Sequence, residues 1–388
     1  MTYKIISTIL AHNKRFSINF PPKNTMTLLP NPFCRILSCT LIMGLLLSCT
    51  SREADLRQKY RESPVIAIQY WGEKWRTHPL WQRIAPAPAE LVERISIENE
   101  LSGFSERPVD AHPPPEFFEA LKLIASRLPG PVKRLAEERV IGIFTVNDLG
   151  SSGYTEAVRD EHGKETYAII VLDKGVLLKR KANEWGTWKE NSVFKPQTYG
   201  NSVLRVKIET EENDSVVNAI HFVLLHELGH ALGMASCVHP PWDDSKPASP
   251  VKLPFPKLSW KMNKDGKIVS LFDDTFPERG SIRYYSFEKA PLSNNQILST
   301  YKNLKNHSNF PSLQASASQW EDFAESFATY FHVVLEKRPW QVMIEASGQF
   351  PVIIDSCWNE SICAEKKLFM TKWFADPQSP PAKRGEVF

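Results

Sequence analysis

The stretch that most limits the fold of this chain is residues 221–236, HFVLLHELGHALGMAS, where two histidines flank a glutamate in the order His-Glu-x-x-His. On an α-helix, positions i and i+4 lie above one another on one face, so His226 and His230 point to the same place. Apolar residues recur around them at helical spacing, which predicts a helix packed on a core. These apolar positions are Val216, Val217, Ile220, Leu224, Leu228 and Leu232.

The predicted helix carries a signal at each end. Asn213, Asp214 and Ser215 are candidates for the N-cap, because their side-chain oxygens accept hydrogen bonds from the first turn. Gly233 is a candidate for the C′ position, where glycine adopts the left-handed conformation without a Cβ penalty. We therefore expect the helix to begin near residue 216 and to end just before Gly233.

Two histidines at this spacing beside a glutamate are typical of a zinc site. The imidazoles ligate the ion, and a neighbouring carboxylate such as that of Glu227 takes a proton from the water that zinc acidifies. The alternative is a helical histidine pair that binds no metal. A chance His-Glu-x-x-His is expected in only about 1% of chains with this many histidines, so the metal site is the favoured interpretation.

A catalytic zinc needs a third protein ligand, and the helix does not supply one. Ser236 stands at the position where one large class of such enzymes carries a third histidine. His239 lies three residues further on and is a candidate, although it sits in a proline-containing loop.

Residues 316–331, SASQWEDFAESFATYF, offer another third ligand. Glu321 and Glu325 are four residues apart on a segment whose apolar residues also recur at helical spacing. Ser318 and Glu321 match a capping box as well, in which Glu321 would bond only the Ser318 backbone N–H. The missing third histidine favours Glu321 as the ligand.

HELGHALGM resembles the active-site helix of the zincin metallopeptidases, and it matches the metzincin pattern H-E-x-x-H-x-x-G-x-x-H until Ser236. The later segment resembles the second metal-binding helix of the gluzincins, E-x-x-x-[DE], and its E-x-F-A-E form is similar to that of lethal factor-like peptidases. The resemblance implies that His226, His230 and Glu321 hold Zn²⁺ and that Glu227 is the general base. It further implies that Glu325 hydrogen-bonds a ligand histidine.

The resemblance implies an α+β, zincin-like metallopeptidase domain with a mixed sheet, an HExxH active-site helix and a mainly helical C-terminal lobe. RVIGIFTVNDLG and ETYAIIVLD are β-rich and are predicted to be strands of one sheet. In zincins an edge strand above the cleft pairs with extended substrate. Residues 166–173, TYAIIVLD, are a candidate for that strand, and a core strand is the alternative. PEFFEALKLIASRLPGP predicts an amphipathic helix bounded by prolines.

The segment between the two metal helices, residues 240–315, is predicted to be an insert over the site. It begins with several prolines, then shows a hairpin pattern around Asp265 and Gly266 and a short helix with a Ser293/Gln296 capping box. After Glu325 the helix should continue to about residue 336. A last helix is predicted near SICAEKKLFMTKWF.

The beginning of the chain resembles a bacterial lipoprotein signal. Arg35 precedes an apolar run over residues 36–47, which is shorter than the ~20 residues that span a bilayer but suits a signal peptide. Residues 46–49, LLSC, resemble a lipobox, which implies cleavage before Cys49 and lipid attachment to its thiol. An ordinary secretory signal and a buried helix are the alternatives.

This assignment divides the chain into an upstream extension and signal peptide (1–48), a lipidated tether (49–65) and the catalytic domain (66–388). Met26 as the true start would give a signal of ordinary length. The resemblance implies a lipid-anchored location at the bacterial cell envelope. Thr50, which is not the aspartate associated with inner-membrane retention, favours the outer membrane or cell surface.

Cysteine use and charge agree with this compartment. Cys357 and Cys363 bracket a short loop and could pair in an oxidising envelope, which leaves Cys237 without a partner. The net charge of +3 comes without a basic cluster, so no nucleic-acid partner is expected.

The function expected from these features is zinc-dependent hydrolysis of peptide bonds in protein substrates. The alternative is a non-catalytic zincin-fold surface lipoprotein that acts in binding or adhesion, against which the intact Glu227 speaks. Zinc hydrolysis of a non-peptide substrate also remains open. A group must stabilise the oxyanion of the tetrahedral state. Its candidates, which the sequence does not rank, are Tyr301, His307, Tyr330 and His332.

Overall fold

The computed structural model describes residues 52–196, 202–242, 252–346 and 350–377. The signal-peptide and lipobox predictions, with Cys49, fall on residues 1–51 and lie outside the described residues. Among the described residues, no helix combines the length and the apolar character needed to cross a bilayer.

The α-helices alternate with the strands of the first half of the chain and dominate its second half. They are α1 (52–62), α2 (Ile68–Trp71), α3 (Ala89–Leu101), α4 (Pro115–Arg127), α5 (Gly130–Arg139), α6 (Lys174–Leu177), α7 (Ala182–Asn191), α8 (Val216–Ala235), α9 (Ile297–His307), α10 (Gln319–Thr329) and α11 (Ala364–Ala375). A π-helical segment, Tyr330–Leu335, continues α10, so the prediction of a helix to about residue 336 is confirmed.

The main sheet is mixed, which confirms the expected α+β class. Its strands are β1 (Ile84–Pro86), β2 (Val109–Asp110), β3 (Val140–Asn147), β4 (Gly153–Arg159) and β5 (Glu165–Asp173). The strand order is β1-β3-β5-β4, and β2 pairs with β3. β3 is parallel to β1 and β5, whereas β4 runs antiparallel to β5.

The predicted strands RVIGIFTVNDLG and ETYAIIVLD are confirmed as β3 and β5, neighbours in one sheet. The assignment of TYAIIVLD as the edge strand is wrong, because β5 lies between β3 and β4. Ile170 and Leu172 of β5 face the main core with α8, whereas Ile169 and Val171 face a second cluster on the opposite side. A strand with both faces buried reads as a continuous apolar run, and that is the pattern of an interior strand.

The remaining strands form two smaller units. β6 (Ser202–Lys207), β9 (Gln341–Ala346) and β10 (Val352–Asp355) make an antiparallel sheet in the order β10-β9-β6. β9 and β10 belong to the C-terminal part, which is therefore less helical than expected. β7 (Trp260–Met262) and β8 (Ile268–Ser270) form the predicted hairpin, and the Ser293/Gln296 capping box is also present.

The ends of α8 agree only partly with the predicted signals. Ser215 is the N-cap, and its hydroxyl accepts a hydrogen bond from Asn218 N at 3.2 Å. The prediction of Gly233 as the C′ residue is wrong, because α8 continues to Ala235 and the left-handed residue is Cys237 (φ 54°). Gly233 is needed for space instead, since a Cβ there would lie 2.4 Å from the Phe323 ring.

The folded part of the chain begins before residue 66, where the tether was expected to end. Residues 52–62 are helical, and Val65 is fully buried. Arg94 donates to the Tyr60 carbonyl and lies 3.7 Å above the Tyr60 ring. The end of the predicted tether is thus packed on the rest of the folded chain.

The C-terminal helix α11 packs against α10. Phe374 stacks on Phe327 with ring centroids 4.9 Å apart, and Lys366 pairs with Asp322 at 2.5 Å where both side chains are fully buried. Cys357 and Cys363, just before α11, form the disulfide that their spacing suggested, and Cys237 is free.

The helices α8 and α10 touch backbone to backbone at Gly229. A Cβ added to Gly229 would lie 2.8 Å from both the Cα and the carbonyl oxygen of Ala324. Contacts that short do not occur with real Cβ atoms, so only glycine permits this crossing. The approach brings the Glu321 and Glu325 side chains of α10 within reach of the two histidines of α8.

Gly229→Ala should therefore lower the free energy of unfolding by about 1–3 kcal/mol, because the backbone of α10 must move to admit the methyl group. Urea unfolding measures the loss. Gly280→Ala is the control, since a Cβ at Gly280 meets nothing within 4 Å. Equal stability of both variants would show that the crossing is not tight.

Candidate metal centre

Three side chains from two helices converge at one buried point. His226 Nε2 lies 3.1 Å from His230 Nε2 and 3.5 Å from Glu321 Oε2, and His230 Nε2 lies 3.7 Å from Glu321 Oε1. All three residues are buried, with exposed fractions between 1% and 6%. These three residues form a group that could hold a metal ion.

Glu321 does not serve as the second half of a capping box. Ser318 caps α10, since its hydroxyl accepts from Glu321 N at 3.2 Å. The Glu321 carboxylate turns the other way, toward the two histidines, and accepts a hydrogen bond from Gln314 Nε2 at 2.8 Å. The structure therefore favours the ligand interpretation of Glu321 over the capping one.

The other two candidates for a third ligand point elsewhere. The Ser236 hydroxyl donates to the Leu232 carbonyl at 2.7 Å. His239 places Nδ1 2.9 Å from the Pro240 carbonyl and stacks on Trp242. Neither residue belongs to the group around His226 and His230.

Glu325 lies behind His226, as the resemblance implied. His226 Nδ1–H donates to Glu325 Oε1 at 2.8 Å, which leaves the Nε2 lone pair facing His230 and Glu321. Burial alone would raise the pKa of Glu325, but Lys189 and His226 together hold it below its usual range. Ser312 donates to the second carboxylate oxygen, so both oxygens of Glu325 are fixed.

Glu227 lies beside this group, between α8 and the edge strand β4. Its Oε2 accepts from Thr155 Oγ1 at 2.6 Å. A Cβ on Gly153 would lie 2.6 Å from Glu227 Oε1, so this position of the strand leaves room for the carboxylate. Burial raises the pKa of Glu227.

Glu227 lines a small, partly open cavity. The cavity is bounded by the HExxH helix, the start of β4, α7 and the approach to α10. Its lining includes Ser152, Gly153, Lys189, His226, Glu227, Tyr285, Gln314 and Glu325. It is the space from which a small group can reach the Glu227 carboxylate.

Among the described residues, buried negative charge gathers at this site. Glu227, Glu321 and Glu325 bring three carboxylates together, and the buried cation Lys189 lies 3.4 Å from Glu325 but is shared with Glu190 at 3.7 Å. Uncompensated buried charge is costly. A divalent cation between two imidazoles and a carboxylate would offset it, so the donor set fits such an ion.

Several groups that build the site could not be predicted from sequence patterns. Four residues contact a glutamate of α8 or α10, yet none of them belongs to a recognisable motif. They are Thr155, Lys189, Ser312 and Gln314. None of the four oxyanion candidates lines the cavity. Tyr301 donates to Glu190, Tyr330 bonds Thr371, His332 bonds the Ile208 carbonyl and His307 is exposed.

A second group that could hold a metal ion consists of His221, His332 and Glu336. Here arginines offset the negative charge of the carboxylate, because Arg127 lies 2.7 Å and Arg338 3.4 Å from Glu336. His332 Nε2 lies 2.6 Å from the Ile208 carbonyl, which makes this nitrogen the protonated one. Burial lowers the pKa of His332 to about 4, so this histidine is a neutral part of the core.

Comparisons of the chain with protein-family models, with curated proteins and with solved structures gave no match. The functional inference therefore rests on the residues and geometry described above.

Removing the proposed ligand Glu321 should weaken metal binding more than removing Glu325, which only orients the proposed ligand His226. Glu321→Ala should abolish tight metal binding, whereas Glu325→Ala should weaken it by about 10–100-fold, because only the orientation of His226 is lost. Competition titration with a metal chelator measures both affinities. Ser318→Ala, which removes only the cap of α10, should keep the affinity of the wild type. Equal affinities in Glu321→Ala and wild type would exclude Glu321 as a ligand.

His332 should make the protein acid-sensitive. Its pKa is about 4 when folded and 6.5 when unfolded, so the unfolded chain binds more protons between these values. Stability is then lost as the pH falls from 6.5 to 4, by about 3 kcal/mol in total. Urea unfolding in chelator at several pH values should show a shallower loss for His332→Gln than for the wild type. The exposed His307→Gln should keep the wild-type slope, and the same slope in all three proteins would refute the assignment.

Proposed function

We propose that the protein is a zinc-dependent metallopeptidase of the zincin type, with a gluzincin-like ligand set, that hydrolyses peptide bonds of protein substrates. The observation that carries this proposal is the convergence of His226, His230 and Glu321 at one buried point beside Glu227. The four residues come from two helices that are far apart in sequence, and each takes the position that its proposed role requires.

The sheet supports a peptide as the substrate. β4 is the last strand of the main sheet and runs antiparallel to β5. A bridge from Ala67 covers its outer side only at Arg159, and Thr155, further along the strand, contacts Glu227. An extended peptide can add to a sheet edge through backbone hydrogen bonds. A peptide paired with β4 would therefore lie beside the Glu227 carboxylate.

The chemistry divides between the ion and the protein. A zinc ion at this point would act as a Lewis acid on the substrate carbonyl and on water. Glu227 accepts a proton from the attacking water and passes it to the leaving amine. Thr155 holds one Glu227 oxygen and leaves Oε1 on the side of the open cavity. The raised pKa of Glu227 makes it a stronger base than an exposed glutamate.

Glu325 and Lys189 position the site without touching the reacting atoms. Glu325 fixes the His226 ring through Nδ1, and Lys189 stabilises the charged form of Glu325 across 3.4 Å. Because Glu227 is only 2% exposed, its carboxylate is reached through the cavity and not from the open surface. The substrate must therefore be an extended or flexible segment, not a folded surface.

We further propose that this peptidase acts at the bacterial cell envelope as a lipoprotein anchored through Cys49. The support is the lipobox-like LLSC of residues 46–49. The Cys357–Cys363 disulfide agrees with an oxidising compartment, since such bonds persist in envelope and secreted proteins.

Glu227→Gln tests the enzymatic role, because it keeps the shape of the side chain but removes the base. Metal affinity should equal that of the wild type, while cleavage of a mixed peptide library, followed by mass spectrometry, should fall by about 10²–10⁴-fold. Glu365→Gln, an exposed glutamate on α11, is the control and should cleave normally. A wild-type protein that binds zinc but cleaves no peptide of a broad library would favour the non-catalytic lipoprotein instead.

A further inference from the structure

Peptide hydrolysis requires a donor for the carbonyl oxygen that gains negative charge in the tetrahedral state. The hydroxyls and imidazoles that the sequence suggested for this role all lie away from the cavity. The donor must instead come from a side chain that borders both the metal group and the cavity. Two residues of the segment 252–315 reach the cavity lining: Tyr285 and Gln314.

Gln314 is the one that contacts the metal group. It begins the short 3-10 turn Gln314–Ser316, just before α10, and its side chain is buried. Its Nε2 lies 2.8 Å from Glu321 Oε2 and 3.4 Å from His226 Nε2. The amide nitrogen therefore sits between two of the three groups that could hold the ion.

The hydrogen bonds of the amide settle its orientation. The Glu321 carboxylate only accepts, so the group that faces it must be the –NH₂ and not the carbonyl. Gln314 Oε1 is buried and has no hydrogen-bond partner, so the amide is held through its nitrogen alone. One N–H is used by Glu321, and the other points toward His226 Nε2.

With a cation bound at the site, the second N–H of Gln314 would be able to donate a hydrogen bond to the substrate. His226 Nδ1–H is given to Glu325, so Nε2 carries the only lone pair of the ring. A bound cation would take this lone pair, and Gln314 could then no longer donate to it. The second N–H keeps its place at the border of the cavity and needs another acceptor.

Tyr285 is less suited to the role. Its hydroxyl donates to Ser152 Oγ at 3.2 Å, on the β4 side of the cavity. Ser152 Oγ also accepts from Trp185 Nε1 at 2.8 Å, so this hydroxyl belongs to a hydrogen-bonded group of its own. Gln314, in contrast, has a donor whose acceptor, His226 Nε2, a bound cation would occupy.

We propose that Gln314 is a catalytic residue that donates its second N–H to the developing oxyanion of the scissile carbonyl. The inference rests on the proposed peptidase function and names a residue for a role that function leaves open. Gln314 forms no covalent bond and keeps its proton throughout. It stabilises the transition state more than the substrate, because the carbonyl oxygen accepts more strongly when it is charged.

The test replaces Gln314 by methionine, which has a similar length but no donor. In Gln314→Met, kcat for the best-cleaved library peptide should fall by about 10²–10³-fold with little change in KM, the effect of losing one oxyanion donor. Gln319→Met is the matched control, because Gln319 is an equally buried glutamine five residues away that does not line the cavity. It should keep the wild-type kcat. If Gln314→Met does not fold, Gln314→Ala replaces it with the same expected loss.

A second readout does not depend on activity. The visible absorption spectrum of the Co²⁺-substituted protein should be the same in Gln314→Met and wild type. The affinity for Zn²⁺ should fall by no more than about 10–100-fold, because Glu321 loses one hydrogen bond but remains a ligand. A changed spectrum would show that the amide ligates the ion, and would overturn the oxyanion role.

The remaining outcomes separate this inference from the proposed function. An unchanged kcat in Gln314→Met, with active wild type, overturns the role of Gln314 and leaves the peptidase standing. A loss in Tyr285→Phe without a loss in Gln314→Met assigns the oxyanion to Tyr285 instead. A wild type that binds Zn²⁺ and cleaves nothing removes both proposals.

Discussion

The contact between α8 and α10 at Gly229 and Ala324 is the constraint on which the rest of the site depends. Gly229 lies between His226 and His230 on the chain, and Ala324 lies between Glu321 and Glu325. Along each helix, the backbone contact is therefore flanked by the side chains that form the site. A larger residue at Gly229 would push apart the helices whose side chains must meet, since interiors are close-packed and do not absorb a methyl group without moving.

Around that contact, the buried carboxylates need hydrogen-bond and ion-pair partners from other elements of the fold. The three carboxylates of the site are held by groups from other elements. Thr155 from β4 and Lys189 from α7 are distant in sequence, whereas Ser312 and Gln314 come from the approach to α10 itself. A buried carboxylate without such partners would be strongly destabilised. The cluster of His221, His332 and Glu336 shows the contrast, because Arg127 pairs with its carboxylate and Arg338 is shared between Glu336 and Glu209, so that two arginines face two carboxylates.

Sequence patterns predicted the local structure correctly where a single segment determines it. Ser215 as N-cap, the β7–β8 hairpin and the Ser293/Gln296 capping box agree with the sequence. The errors arose where contacts with another element determine the structure. Gly233 was a candidate helix end, but it makes room for Phe323. TYAIIVLD was a candidate edge strand with a core strand as the alternative, and it is the core strand because β3 and β4 pair with it on either side.

The sequence by itself determined which residue types are available and how they are spaced along each helix. The i, i+4 spacing of His226 with His230, and of Glu321 with Glu325, follows from the geometry of one helix and needs no other part of the chain. Only the tertiary structure decided that the two pairs face each other, that Glu321 is turned from its own cap to the histidines, and that Gln314 borders the cavity. The physical reason is that these contacts join segments far apart in the chain. Their choice depends on close packing and on the pairing of buried charge, which no local pattern records.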